Sequence, residues 1–176
     1  RLPAMFDKPA IVVTGAGGQL GLTLQQLWPA SRLAQHFRLL PLTAQQLDIA
    51  DPEAVRSTLG EEDVMAIVNC AAYTAVDAAE ENRDQAFWVN HKGPAVLSDW
   101  SAQNRSRLVH VSTDFVFDGQ SKTPYQPDDD PLPLGVYGAS KLAGEEEIQE
   151  RLPEASVIVR TSWLYSPFRN NFMKTM

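Results

Sequence analysis

An α/β fold, a doubly wound parallel sheet with helices on both faces, is the expectation for this chain, and three features of the sequence set it. Short runs rich in Val and Ile alternate with stretches of helical spacing from end to end, which is the pattern of consecutive βα units. The first such run ends directly in a cluster of glycines, Gly15, Gly17, Gly18 and Gly21. The chain of 176 residues is 44% hydrophobic and 21% charged, fractions that suit a globular domain with one sizeable core and exclude a disordered or collagen-like one. No stretch approaches the ~20 apolar residues of a membrane span.

Each element follows in order. Residues 9–14 form a continuous apolar run that stops at Gly15, the mark of a buried parallel strand. Residues 19–28 place Leu20, Leu24 and Leu27 at helical spacing, and Pro29 ends the helix. Residues 37–42 read as a second strand and 46–49 as a short third. Asp51 is placed to cap a helix whose first position is Pro52. Residues 63–70 make a fourth strand, and 80–103 a long helical stretch interrupted at Gly93 and Pro94. A fifth strand over 107–112, a helix over 137–151 and a sixth strand over 155–160 complete the pattern.

The glycines sit where the first strand meets the first helix. Glycine there permits a tight turn and lets the backbone approach a pyrophosphate, while the helix N-terminus faces the anion. Gly15, Gly17, Gly18, Gln19 and Leu20 are therefore candidates to hold a dinucleotide in a Rossmann-like domain, against the alternative of a merely structural turn. The segment after the second strand, Leu42-Thr43-Ala44-Gln45, carries neither the acid that favours NADH nor the Arg that favours NADPH, so the preference stays open. Asp48 is placed to touch the adenine; its plainer reading is a loop carboxylate capping the next helix.

Tyr137 and Lys141 lie four apart, on one face of a helix. A phenol is a poor acid–base group near neutral pH unless a nearby cation stabilises its phenolate. The pair alone is also a common surface arrangement. Thr113, ending a strand at the carboxyl edge where such sheets bind ligands, strengthens the catalytic reading, since its hydroxyl suits a substrate carbonyl. A strand-end Thr that caps a loop is the alternative.

With these residues in place the chain resembles the extended short-chain dehydrogenase/reductase family, and within it the branch acting on dTDP-4-dehydrorhamnose. The match is carried by residues 15–21, Leu47-Asp48-Ile49, the stretch AAYTAVDAAE over 71–80, STDFVFDG over 112–119, Tyr137 to Lys141, RTSWLY over 160–165, and Asn171-Phe172. The resemblance implies NADPH- or NADH-dependent reduction of the C4 ketone of dTDP-4-dehydro-L-rhamnose to dTDP-L-rhamnose, a cell-wall and O-antigen sugar donor. It implies that Tyr137 protonates the developing alkoxide, that Lys141 holds the nicotinamide ribose and depresses the Tyr137 pKa, and that Thr113 polarises the carbonyl. Ala71, Ala72 and Tyr73, with Asp48 and Ile49, fall on cofactor positions; Thr74, Asp114, Phe115 and Trp163 fall on the substrate side. A core indole is the plainer reading of Trp163.

Three positions depart from the family pattern: Phe115 stands where Tyr is usual, Gly135 where Asn is usual, and Thr23 where some members carry a magnesium-binding Glu. No metal site is expected. Pro94 has no N–H, so the Asn90 carbonyl loses its helical partner. The resemblance then suggests a kink over 90–94 and a water joining that carbonyl to Lys141, which makes Asn90 a cofactor-side candidate.

The remaining candidates read plainly. Cys70 is expected as a buried small hydrophobe, and His36, His91 and His110 are not spaced as metal ligands. Asp128, Asp129 and Asp130 form a solvated loop run, and Glu145, Glu146, Glu147 and Glu150 a solvated helix face. The net charge of −7 argues against nucleic acid or an anionic membrane as partner. One cysteine excludes an intrachain disulfide and suits a cytoplasmic setting. A dTDP-sugar is the expected substrate and a homodimer the expected full-length form. Residues 1–8, with Met5 as a natural start, read as a remnant or disordered lead. Residues 9–165 read as the nucleotide-binding domain with the catalytic residues, and 166–176 as the start of a truncated substrate-binding part. An epimerase or dehydratase of the same group is the rival within enzymes, and a non-catalytic nucleotide-binding regulator the rival outside them. Intact Thr113, Tyr137 and Lys141 favour catalysis.

Overall fold

A computed structural model describes residues 8–176; the expected start at Met5 lies outside them. Five strands, β1 (Ala10–Thr14), β2 (Arg38–Leu42), β3 (Val64–Asn69), β4 (Arg107–Thr113) and β5 (Ser156–Thr161), form one parallel sheet in the order β2-β1-β3-β4-β5. The chain steps outward from β1 to β2, then returns across β1 to reach β3. That reversal opens a crevice at the carboxyl ends of β1 and β3, where doubly wound sheets bind ligands. Right-handed crossovers in opposed directions place α1 (Gln19–Leu27) and α2 (Pro52–Leu59) on opposite faces.

The main core lies beneath α2, α5 (Gly93–Asn104) and α6 (Val136–Arg151). It is built from Val12, Val55, Leu59, Ile67, Leu97, Trp100, Leu108 and Ile148. All five positions of β1 are buried, as its uninterrupted apolar run requires. Asp51 caps α2, its side chain accepting from the Glu53 amide at 2.9 Å.

Two elements differ from expectation. Residues 46–49 are not a strand. The Gln46 and Leu47 amides both donate to the Thr43 carbonyl at 3.0 Å, winding the segment into a turn. Its apolar pattern arises because Leu47 and Ile49 plug the core from that turn. The sheet accordingly has five strands rather than six. The long helical stretch over 80–103 is divided among α4 (Arg83–Phe87), a π-helical turn (Trp88–Lys92) and α5, and a short helix α3 (Val76–Ala79) precedes it. The interruption falls one turn earlier than Gly93 and Pro94 suggest. Pro94 offers no amide to Asn90, and the Gly93 amide bonds the Trp88 carbonyl five residues back, the spacing of a π turn.

Candidate active site

Gly15 adopts φ +64°, and a Cβ there would stand 2.6 Å from the Ala71 amide nitrogen, so the turn between β1 and α1 accepts only glycine. Gly18, the N-cap of α1, supplies no capping side chain, and the first turn holds no acid. The N-terminal amides of α1 thus face the crevice available to an anion, which fits a dinucleotide pyrophosphate.

From this turn a cleft of about 810 Å³ runs along the carboxyl edge of the sheet. Gly15, Gly17, Gly18, Gln19 and Leu20 line one end. Ala71, Ala72, Tyr73 and Thr74 enter from the loop after β3; Thr113, Asp114 and Phe115 from the end of β4; Trp163 from beyond β5. Tyr137 and Lys141 reach it from α6. A smaller adjoining recess is lined by Asp48 and Ile49 and shares Gly15 and Ala71 with the cleft. Asp48 accepts from the Ala50 amide at 2.9 Å, and its other oxygen lies 3.4 Å from the Trp88 indole nitrogen. It is therefore both a local turn carboxylate and a recess wall.

Thr113 is buried at the end of β4, and its hydroxyl lies 3.2 Å from both an Asp114 carboxylate oxygen and the Phe115 amide. It thus caps the following turn while lining the cleft. Phe115 packs edge-on against Tyr137, ring centroids 5.5 Å apart. The α6 N-terminus is fixed by Glu80, which accepts from the Val136 amide at 2.8 Å beside Gly135. Trp163 is no core indole: it is 72% exposed, at φ +52°, and stacks edge-on with Phe172.

Lys141 lines the cleft with its amine bonded on the sheet side. Its amine is buried, donates to the Val111 carbonyl at 2.7 Å and lies 3.1 Å from His110 Nε2. Burial pulls its pKa down to about 8, against the raising influence of Glu145 and Cys70. Burial also raises the Tyr137 phenol, opposed by the Thr113 hydroxyl and reinforced by the Asp114 charge; Lys141 is not among the groups that move it.

Asn90 is buried and lies behind the cleft lining. Its side chain accepts from the Tyr73 amide at 2.8 Å and donates to the Tyr73 carbonyl and the Ser140 hydroxyl at 3.0 Å. Its backbone carbonyl faces Gly144, where an added Cβ would collide with it. Asn90 fixes the Tyr73 loop and, through Ser140, the neighbour of Lys141, and its carbonyl packs against Gly144 of α6.

The glutamate run is not uniformly solvated. Glu145 is buried and takes a multiple hydrogen bond from Arg160, shortest at 2.7 Å, while Glu147 pairs with His91 and Arg151. Asp128, Asp129 and Asp130 are exposed. Cys70 is half-buried and lines the cleft, with burial pushing its thiol up to about 11, which suits an inert side chain. Thr23 donates to the Gln19 carbonyl at 2.9 Å. Among the described residues no group of three or more His, Cys, Asp or Glu is gathered to hold a metal, and no helix is long and apolar enough to cross a membrane. Sequence reasoning missed Arg169, which lines the cleft and donates from Nε and Nη2 to the Gly17 carbonyl at 2.9 and 2.6 Å. No spacing rule connects positions 152 residues apart.

Sheet order and the glycine turn together define a domain of the Rossmann-like class, with Thr113, Tyr137 and Lys141 on its cleft. A family model described as RmlD substrate binding domain matches residues 9–176, and the chain belongs to that family. A dTDP-4-dehydrorhamnose reductase of Mycobacterium tuberculosis is 47% identical over 161 residues, covering 89% of this chain and 50% of the relative. A spore coat polysaccharide biosynthesis protein of Bacillus subtilis is 40% identical over 167 residues, covering 94% and 57%. Among solved structures, a Bacillus anthracis dTDP-4-dehydrorhamnose reductase in complex with NADP superposes with a TM-score of 0.89 at 39% identity, covering 96% of this chain and 58% of that one. The chain spans about half the length of the curated relatives it matches.

Proposed function

We propose that residues 9–165 form the nucleotide-binding and proton-donating part of an NADPH- or NADH-dependent reductase acting on the C4 ketone of dTDP-4-dehydro-L-rhamnose, with 166–176 opening the part that completes the sugar site. The observation carrying this reading is the convergence of Thr113, Tyr137 and the Lys141 side chain on the cleft that begins at the glycine turn. The relatives' printed activities and the NADP of the Bacillus anthracis structure support it.

The α1 amides and the backbone of Gly15 to Leu20 hold the cofactor diphosphate, the recess at Asp48 and Ile49 takes the adenosine end, and Ala71 to Tyr73 flank the rest. When bound, the cofactor supplies hydride to the carbonyl carbon. Tyr137 gives its phenolic proton to the carbonyl oxygen, and a phenol kept protonated by burial is in the state this step needs. Thr113 turns its hydroxyl from Asp114 to the same oxygen and stabilises the charge that develops there. Thr74, Asp114, Phe115 and Trp163 flank the sugar. Exchange of protons with solvent goes through the open cleft. The setting is cytoplasmic and the full-length form a homodimer.

The test is consumption of NADPH or NADH with dTDP-4-dehydro-L-rhamnose by the chain completed to its relatives' length, alongside fluorescence titration of this chain with each cofactor. Tyr137→Phe is expected to leave cofactor affinity intact and lower kcat by roughly 10²-fold or more. Unchanged turnover in that variant, or no saturable binding of either cofactor, overturns the reading.

A further inference from the structure

Four buried polar side chains form a rung across the sheet. Thr14 on β1, Asn69 on β3 and His110 on β4 are register neighbours, and Lys141 reaches down from α6 to the last of them. Their hydrogen bonds leave little freedom in where the protons sit. Asn69 Oδ1 accepts from the Ala71 backbone amide at 3.1 Å and from the Thr14 hydroxyl at 2.6 Å. A backbone amide only donates, so that atom is the oxygen and the Asn69 amide nitrogen faces His110 Nδ1, at 3.0 Å. An amide nitrogen also only donates, so Nδ1 accepts. His110 is fully buried, and burial holds its pKa well below the ordinary value, so the ring is neutral with one proton. That proton is on Nε2, and Nε2 points at the Lys141 amine 3.1 Å away.

An ammonium has no lone pair to receive Nε2–H. A neutral amine has one, and still keeps an N–H for the Val111 carbonyl. We propose that His110 is a positioning residue for Lys141: its Nε2–H, locked in that tautomer by Asn69, keeps the amine neutral and withdrawn, and the charged form of Lys141 is the one released toward Tyr137 and the cleft. Charging takes one proton from solvent through the cleft that Lys141 lines and turns –NH₂ into –NH₃⁺ with no other bond made or broken. The titratable and charged groups around the amine are His110 on β4, Cys70 after β3, and Tyr137 and Glu145 one turn away on α6, with Glu145 already taken by Arg160. The value of the release for catalysis rests on the reductase reading; the tautomer lock does not.

Two magnetic-resonance measurements on this chain test it without reading turnover, so their failure is distinct from failure of the reductase assignment. Long-range ¹H–¹⁵N correlation of His110 is expected to show the Nε2–H tautomer, unchanged from about pH 6 to pH 9. The Lys141 ¹³Cε resonance is expected to titrate well below an ordinary lysine. Asn69→Asp replaces the amide donor by an acceptor while keeping the oxygen that serves Ala71 and Thr14. It should flip His110 to the Nδ1–H tautomer and raise the Lys141 midpoint by one pH unit or more, a tenfold change in proton affinity. A native His110 carrying its proton on Nδ1, a Lys141 that titrates like an exposed lysine, or an Asn69→Asp chain whose His110 tautomer is unchanged overturns the proposal.

Discussion

Lys141 carries an amine out of water with no carboxylate bonded to it, and the cost sets a pH dependence for the whole chain. Its folded-state pKa of about 8 lies below the ordinary 10.5. Below about 8 the folded and unfolded chains both hold the proton, and the folded chain bears in full the cost of charging Lys141 and freeing it from His110. Between these two values only the unfolded chain holds it, so stability rises with pH, by at most ~1.4 kcal/mol per unit. Lys141→Met removes the titrating group. It should stabilise the fold near pH 7 by on the order of 2 kcal/mol, with the gain fading as pH climbs toward that of a free lysine. Urea unfolding over a pH series reads this directly, and parallel curves for the two chains would contradict it. At this scale the sequence was legible where chemistry is local. Tyr137 and Lys141 announce themselves by a four-residue spacing and Gly15 by its place after a strand. His110 does not, because strand alternation says only that it points inward, and its partners Asn69 and Lys141 lie 41 and 31 residues away.

Elements were legible in kind and less so in their seams. The turn over 46–49 imitates a strand because Leu47 and Ile49 are buried from a loop, and burial alone does not distinguish the two. The π turn at Trp88–Lys92 is foreshadowed by Pro94, whose missing amide is visible in the sequence although the place where the helix absorbs it is not. Helix α6 and strand β5 are joined by Glu145 and Arg160, and Arg160 continues to the Phe117 ring at 4.9 Å and the Pro127 carbonyl at 3.3 Å. One buried ion pair therefore ties α6, the edge strand and the loop beyond β4. Glu145→Ala strands Arg160 without its partner and should cost roughly 3 kcal/mol. Glu145→Gln keeps an acceptor and should cost less. Equal unfolding midpoints for both variants and the parent chain would show the pair to be dispensable.

The molecule as a whole leaves apolar side chains of β5 in solvent, with Val157 57% and Val159 41% exposed. Such a strand at a sheet edge invites a second chain. Replacing both with Thr should lower self-association in concentrated solution while moving the unfolding midpoint by less than about 1 kcal/mol; light scattering and thermal unfolding check the two halves of that statement. Fold class was the most legible feature of all, since it rests on the alternation of strand and helix and needs no long-range partner. The sheet's spatial order has a further consequence for how the chain is made. β1 is synthesised before both of its partners, yet it ends in the interior of the sheet, pairing with Arg38–Leu42 on one side and with β3, ending at Asn69, on the other. A nascent chain that has not yet reached Asn69 therefore cannot satisfy both edges of β1. Throughout that stretch of translation, the strand destined for complete burial waits with one edge bare.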